Sequence, residues 1–197
     1  MKNLDQLKAV TFDVFGTVVD WRNSIAREMN LIGDKKEFSI DGAEFASAWR
    51  SLYQPSMSKV RSGEMPFERL DVLHRRNLDT VLEQYGINQL SELEKVHLNQ
   101  AWHRLEPWPD VVEGLVRLKE RYIIGTLSNG NVSLIVNMAK YSGLPWDVVL
   151  GAEVAGHYKP CPEAYLGSAK KLDLPPHQCM LVAAHNADLL AASECGF

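Results

Sequence analysis

Cysteine is scarce in this chain: only Cys161, Cys179 and Cys195 occur, an odd number in no metal or redox spacing. That argues against a disulfide framework and a cysteine-built metal site, and points to a reduced, cytoplasmic setting. Positive charge is also in short supply. Lys and Arg number 21 against 25 Asp and Glu, a formal net charge of -4 with a pI near 5.9. Such a balance speaks against a nucleic-acid partner or an anionic membrane surface. No apolar run approaches the roughly 18 residues of a membrane span. The start, MKNLDQLKAV, carries charges and no apolar h-region, so no secretory leader is expected and the sequon Asn131-Val132-Ser133 has no context. What remains is ordinary globular composition. Hydrophobic residues make up 46% and charged residues 23% of 197, enough for one large domain or a core domain with an insertion.

Four short apolar runs read as strands: Ala9–Phe12, Tyr122–Leu127, Val148–Leu150 and Cys179–Ala184. Helical patterns separate them. Val111, Leu115 and Leu118 fall at i, i+4, i+7, and Val132–Tyr141 runs out at Gly143, a suitable C-cap. Alternation of this kind predicts right-handed crossovers and a parallel sheet covered on both faces. From about Trp21 to His103 the pattern is helical throughout. Ile25/Met29/Ile32 and Phe45/Trp49/Leu52 are apolar stripes, and Ser91 with Glu94 makes a capping box. Two prolines in Glu106–Val111 mark the return. The expected fold is therefore α/β, a doubly wound parallel sheet with an all-helical cap inserted after the first strand. Residues 1–20 and 104–197 form the core and 21–103 the cap. A last helix over Ala187–Gly196 is expected with no strand after it before Phe197, the pattern of a truncated chain.

In open α/β sheets functional groups gather at the carboxyl ends of the strands. Asp13 and Thr17 follow the first strand, Ser128 and Asn129 the second, Lys159 the third, and His185, Asn186 and Asp188 the fourth. A lone aspartate at a strand end is commonly a turn residue. Polar groups at all four ends make a site the better reading.

These residues also carry a resemblance that covers nearly the whole chain. FDVFGT resembles the nucleophile motif of the haloacid dehalogenase superfamily, in which an aspartate ends the first strand and a threonine follows four later. TLSNGN (Thr126–Asn131), YKPCPEAY (Tyr158–Tyr165) and LVAAHNADL (Leu181–Leu189) resemble its second, third and fourth motifs. The superfamily's phosphatases place a second aspartate two residues after the nucleophile and usually paired acids in the fourth motif. Here those places hold Phe15 and a single acid, Asp188. Hard oxygen ligands for magnesium are thus thin, and a phosphoryl group would lack its metal clamp and general acid. The resemblance therefore moves to the L-specific 2-haloacid dehalogenases, with no cofactor and no metal.

What the resemblance implies is specific. Asp13 is the nucleophile that displaces halide from a saturated carbon, giving an aspartyl ester that water hydrolyses. Lys159 keeps Asp13 ionised, and Asp188 orients Lys159 and positions the water. Arg50, in SAWRSLY on an insertion helix, resembles the halide-cradling arginine and acts with the Asn129 amide. Ser128 and Thr17, with backbone N–H groups from Val14 onward, hold the substrate carboxylate or Asp13 itself. Phe15 walls the pocket and Tyr165 orients its far end. Where many of these enzymes have serine and asparagine, this chain has Ala183 and His185. His185 is then a substitute donor or the mark of a changed substrate, and Asn186 lines the same end. The expected partner is a small-molecule haloacid, with no nucleic acid and no membrane, and a homodimer is compatible. The alternatives are a phosphatase or phosphonatase with an atypical, metal-poor site, or a binding protein that has lost catalysis.

Overall fold

A computed structural model of the protein describes residues 4–197. The charged start is covered only from its fourth residue, so Lys2 and its neighbours at 1–3 lie outside the described residues.

Four parallel strands form the sheet: β1 (Ala9–Phe12), β2 (Ile123–Ser128), β3 (Val148–Gly151) and β4 (Cys179–Val182), in the order β3-β2-β1-β4. Each is a short, largely buried apolar run, as parallel strands covered on both sides require. Successive side chains point to opposite faces. Val10, Phe12 and Ile124 therefore join one core cluster, and Ala9, Leu127 and Leu181 join a second one. The hydroxyls among them are paired internally: Thr11 Oγ1 donates to Met180 O at 3.0 Å and Thr126 Oγ1 to Leu150 O at 2.9 Å.

Five helices follow β1 before the chain returns to its side: α1 (Trp21–Lys36), α2 (Gly42–Ser51), α3 (Tyr53–Arg61), α4 (Leu70–Gln84) and α5 (Glu92–Asn99), closed by a 3-10 turn over Gln100–His103. Their starts are written locally. Asp20 accepts from Asn23 N, Asp41 from Ala43 and Glu44 N, and the Ser91/Glu94 capping box is formed. The expected stripes face inward, with Ile25, Met29, Phe45 and Trp49 all 0–1% exposed. The chain leaves and re-enters beside itself: Asp20 N donates to Glu106 O at 2.9 Å and Trp108 N to Val18 O at 3.1 Å.

Beyond this crossing run α6 (Val111–Lys119), α7 (Val132–Ser142), α8 (Ala152–Ala155), α9 (Pro162–Lys171) and α10 (Asn186–Glu194). Gly143 caps α7 at φ 66°, as its position predicts. Three strand readings need adjustment. β2 starts and ends one residue later than expected, and β3 extends to Gly151, which lies so close to the Ser128 main chain that no Cβ fits. β4 stops at Val182, because Ala183 and Ala184 already turn toward Thr17. Helix α10 likewise begins one residue earlier than expected, with extended His185 at its N-cap, and gives way at Cys195. All three cysteines are free. Among the described residues no helix is long and apolar enough to cross a membrane.

Candidate active site

Parallel strands end on the same side, so the segments after β1, β3 and β4 converge. Asp13 follows β1 directly, its N–H held by Val182 O at 3.0 Å. Thr17 donates to Asp13 Oδ2 at 3.0 Å and accepts from Ala184 N at 2.9 Å, tying the β1 loop to the β4 loop. Lys159 reaches in from the loop after α8. Its Nζ lies 3.1 Å from Asp13 Oδ1 and 2.5 Å from Asp188 Oδ2, and Tyr165 donates to Asp188 Oδ1 at 2.6 Å. The result is a continuous chain Tyr165–Asp188–Lys159–Asp13–Thr17.

These groups are withdrawn from water: Asp13 is 6% and Lys159 7% exposed. Burial opposes the Lys159 charge. The charges of Asp13 and Asp188 and the hydrogen bonds to both outweigh it, and its pKa is raised. At 3.1 Å and an effective dielectric of about 20, the Asp13–Lys159 attraction is on the order of 5 kcal/mol before desolvation is set against it. Burial first, and then the bond to Asp188, push the Tyr165 phenol upward, so it remains a donor.

The side facing the insertion is apolar and aromatic. Phe15 is 2% exposed and meets Trp102 edge-on at 5.9 Å. Gly130 backs the same ring: a Cβ there would sit 3.3 Å from Phe15 and 2.8 Å from Ile135 Cδ1. Arg50 sits over Tyr53, its guanidinium carbon 3.7 Å from the ring centroid, with Phe15 at 5.6 Å and Trp21 at 5.5 Å. Its Nη1 is buried and has no hydrogen-bond partner. A buried donor left unpaired costs about 1–3 kcal/mol, which a bound acceptor would recover.

The remaining expected residues fall around this centre with varied engagement. Val14 is fully buried, and neither its N–H nor that of Phe15 is bonded to another backbone group. Ser128 Oγ accepts from Gly130 N at 3.1 Å, which leaves its own proton to donate. The Asn129 oxygen accepts from Lys159 N at 2.8 Å, and its amide nitrogen donates to Met57 Sδ at 3.4 Å. His185 Nε2 stands 3.2 Å from Phe15 O and 3.7 Å from Asp13 Oδ2. Asn186 only opens α10 and is exposed.

Other residues of this region carried no sequence signal that singled them out. Asp71 on α4 pairs with His103 Nε2 at 3.0 Å and accepts from Asn131 Nδ2 at 2.8 Å, and Asn137 Nδ2 meets His103 Nδ1 at 3.0 Å. Burial works against the Asp71 charge, but the bonds from His103 and Asn131 prevail and its pKa is lowered. His74 is 1% exposed and stacked on Trp102 with centroids 4.3 Å apart. Burial, then the nearby Arg50 charge, hold it neutral, with a pKa lowered to about 3. Only the spacing of His74 and Trp102 on buried helix faces could have pointed to them.

Among the described residues no three His, Cys, Asp or Glu side chains converge as a metal site. A cavity of about 240 Å³ lined by Arg61, Phe67, Tyr158 and Cys161 flanks the backbone of Lys159, whose carbonyl accepts from Arg61 Nη1 at 3.3 Å.

A family model described as haloacid dehalogenase-like hydrolase matches residues 7–196. The crystal structure of the defluorinating L-2-haloacid dehalogenase Rha0230 is similar, at 49% identity and a TM-score of 0.95, over 97% of this chain and 79% of that one. The L-2-haloacid dehalogenase PA0810 is 43% identical with a TM-score of 0.93, over 97% of this chain and 82% of that one. Among curated proteins, (S)-2-haloacid dehalogenase 4A of Burkholderia cepacia is 29% identical over 98% of this chain and 82% of its own length.

Proposed function

The chain belongs to the haloacid dehalogenase-like hydrolase family, and we propose that it hydrolyses short 2-haloalkanoic acids to 2-hydroxy acids through an ester on Asp13. The observation that carries this reading is the aromatic wall of Phe15 beside Asp13, faced by an Arg50 guanidinium with an unpartnered, buried donor. A phosphoryl site calls for hard oxygen ligands and a second acid at this point. An apolar pocket with a buried donor free for a departing anion suits a carbon–halogen bond.

The geometry supports the following steps. The unbonded N–H groups of Val14 and Phe15, with the Ser128 hydroxyl, receive the substrate carboxylate. Asp13, steadied by Thr17 and Lys159, attacks the carbon from behind the halogen. The C–O bond forms as the C–halogen bond breaks, and the electron pair leaves on the halide toward Arg50. Water then attacks the carboxyl carbon of Asp13. Lys159, bonded to Asp13, and Asp188, bonded to Lys159 and held by Tyr165, manage its proton. In this reading residues 21–103 are a cap that supplies Arg50 and the aromatic wall, and residues 1–20 and 104–197 are the core that supplies the nucleophile. No step uses a metal.

Halide release from L- and D-2-chloropropionate, with and without EDTA, tests the proposal. Release from the L enantiomer that is unchanged by the chelator is the expected result. Release of phosphate from phosphate esters, dependent on magnesium and without dehalogenation, would overturn it.

A further inference from the structure

Four of the seven unpartnered buried side-chain nitrogen or oxygen atoms among the described residues belong to one cluster: Arg50 Nη1, both ring nitrogens of His74, and Trp102 Nε1. The rings around them are packed together. His74 stacks on Trp102 at 4.3 Å and lies 6.2 Å from Tyr53, the ring that carries Arg50. Trp102 also meets Phe15 at 5.9 Å and Trp21 at 6.2 Å, the two other rings beside the Arg50 guanidinium. Trp49 closes the group at 5.3 Å from Trp102, and its own indole N–H is used on His74 O at 2.9 Å.

Inside this box donors outnumber acceptors. A neutral imidazole offers one N–H and one lone pair, an indole only an N–H, and a guanidinium only N–H groups. Asp71, the carboxylate that faces His74, already holds His103 and Asn131. Buried donors without partners in a cationic, aromatic setting are chemically complementary to an anion.

We infer that His74 and Trp102 belong, with Arg50, to the site that receives the departing halide, and that their N–H groups extend the substrate range to 2-fluoro acids. The inference rests on the dehalogenase reading above. In the step concerned the Asp13 oxygen bonds to carbon, and the carbon–halogen pair leaves on the halide with no proton transferred. Fluoride is the smallest halide and the strongest hydrogen-bond acceptor. It therefore gains most from added donors as charge develops on it. Bromide, larger and softer, depends on them least.

Two measurements test this. Crystals of the unaltered protein soaked in sodium bromide are expected to show the anomalous signal of bromide between Arg50, His74 and Trp102. Bromide found only elsewhere, against Asn129 or on the surface, overturns the assignment. Independently, His74→Phe keeps the ring stack without nitrogens, and Trp102→Phe removes the indole donor. Each is expected to lower kcat for L-2-fluoropropionate by about tenfold to a hundredfold, and for L-2-bromopropionate by no more than about threefold. A merely structural role would lower both alike, and that result, or no change in either, refutes the specificity claim. Should a variant fail to fold, the bromide position decides. Should the unaltered protein release no halide from any 2-haloacid, the dehalogenase reading fails, while the bromide position still decides whether the box holds an anion.

Discussion

His74 makes acid stability a sharp test of the aromatic box. Its ring is 1% exposed, has no hydrogen-bond partner at either nitrogen, and faces the charges of Arg50, Asp71 and His103. Its pKa falls from 6.5 to about 3, burial being the largest cause. Above pH 6.5 folded and unfolded chains both carry the neutral ring, and this residue adds no pH dependence. Below that point the unfolded chain takes up a proton that the folded chain refuses, so stability falls by about 1.4 kcal/mol per pH unit until the folded ring also titrates. At pH 4.5 the loss is about 3 kcal/mol, a large share of the 5–15 kcal/mol or so that holds a domain folded. Carboxylates titrate over the same range, so the comparison is with His74→Phe. Urea unfolding of the two proteins is expected to coincide within about 1 kcal/mol at pH 8 and to separate by about 3 kcal/mol at pH 4.5, the variant being the more stable. In melting temperature the gap is roughly 5–12 °C. Parallel curves from pH 8 to 4.5 would mean that His74 ionises in the folded protein, and the argument for a dry, donor-rich box would collapse.

Arg50→Lys keeps the charge and loses the planar fork that rests on Tyr53; kcat for halide release is expected to fall by about 10²–10³ with a smaller change in KM. Near wild-type turnover would place the halide away from this side chain. Lys159→Met leaves Asp13 and Asp188 without their shared cation, and turnover is expected to drop by about 10³ or more; a loss below tenfold would remove Lys159 from the mechanism. Tyr165→Phe removes one bond to Asp188 and is expected to lower kcat by about tenfold while leaving KM nearly unchanged. A change confined to KM would place Tyr165 on the substrate instead.

The sheet was legible because each strand is a short continuous apolar run bounded by turn residues, and the helices because their stripes and caps are local features. The misjudged ends are those set by distant partners. β4 gives way where Ala184 N turns to Thr17, and β3 continues into Gly151 because Ser128 lies against it. At the centre, Asp13, Thr17, Lys159 and Asp188 could be grouped because strand ends converge in any such sheet, and the structure places them in direct contact. Tyr165 meets Asp188 because α9 begins just after the loop that carries Lys159. The Asn129 amide is divided between the Lys159 backbone and Met57, a contact set by the packing of α3 that no local pattern announces. The box around Arg50 and the Asp71–His103–Asn131 network join segments far apart in the chain, Asp71 lying 32 residues from His103 and 60 from Asn131. Helical period shows which faces are buried and not which faces meet.

The central claim is that Asp13 attacks the substrate and water attacks Asp13. A single turnover in ¹⁸O-labelled water, with protein in excess over L-2-chloropropionate, tests it most directly. The account predicts unlabelled 2-hydroxypropionate and ¹⁸O recovered in the Asp13 side chain by peptide mass spectrometry. Label in the product of that first turnover, with none in Asp13, would show water attacking the substrate and reduce Asp13 to a base.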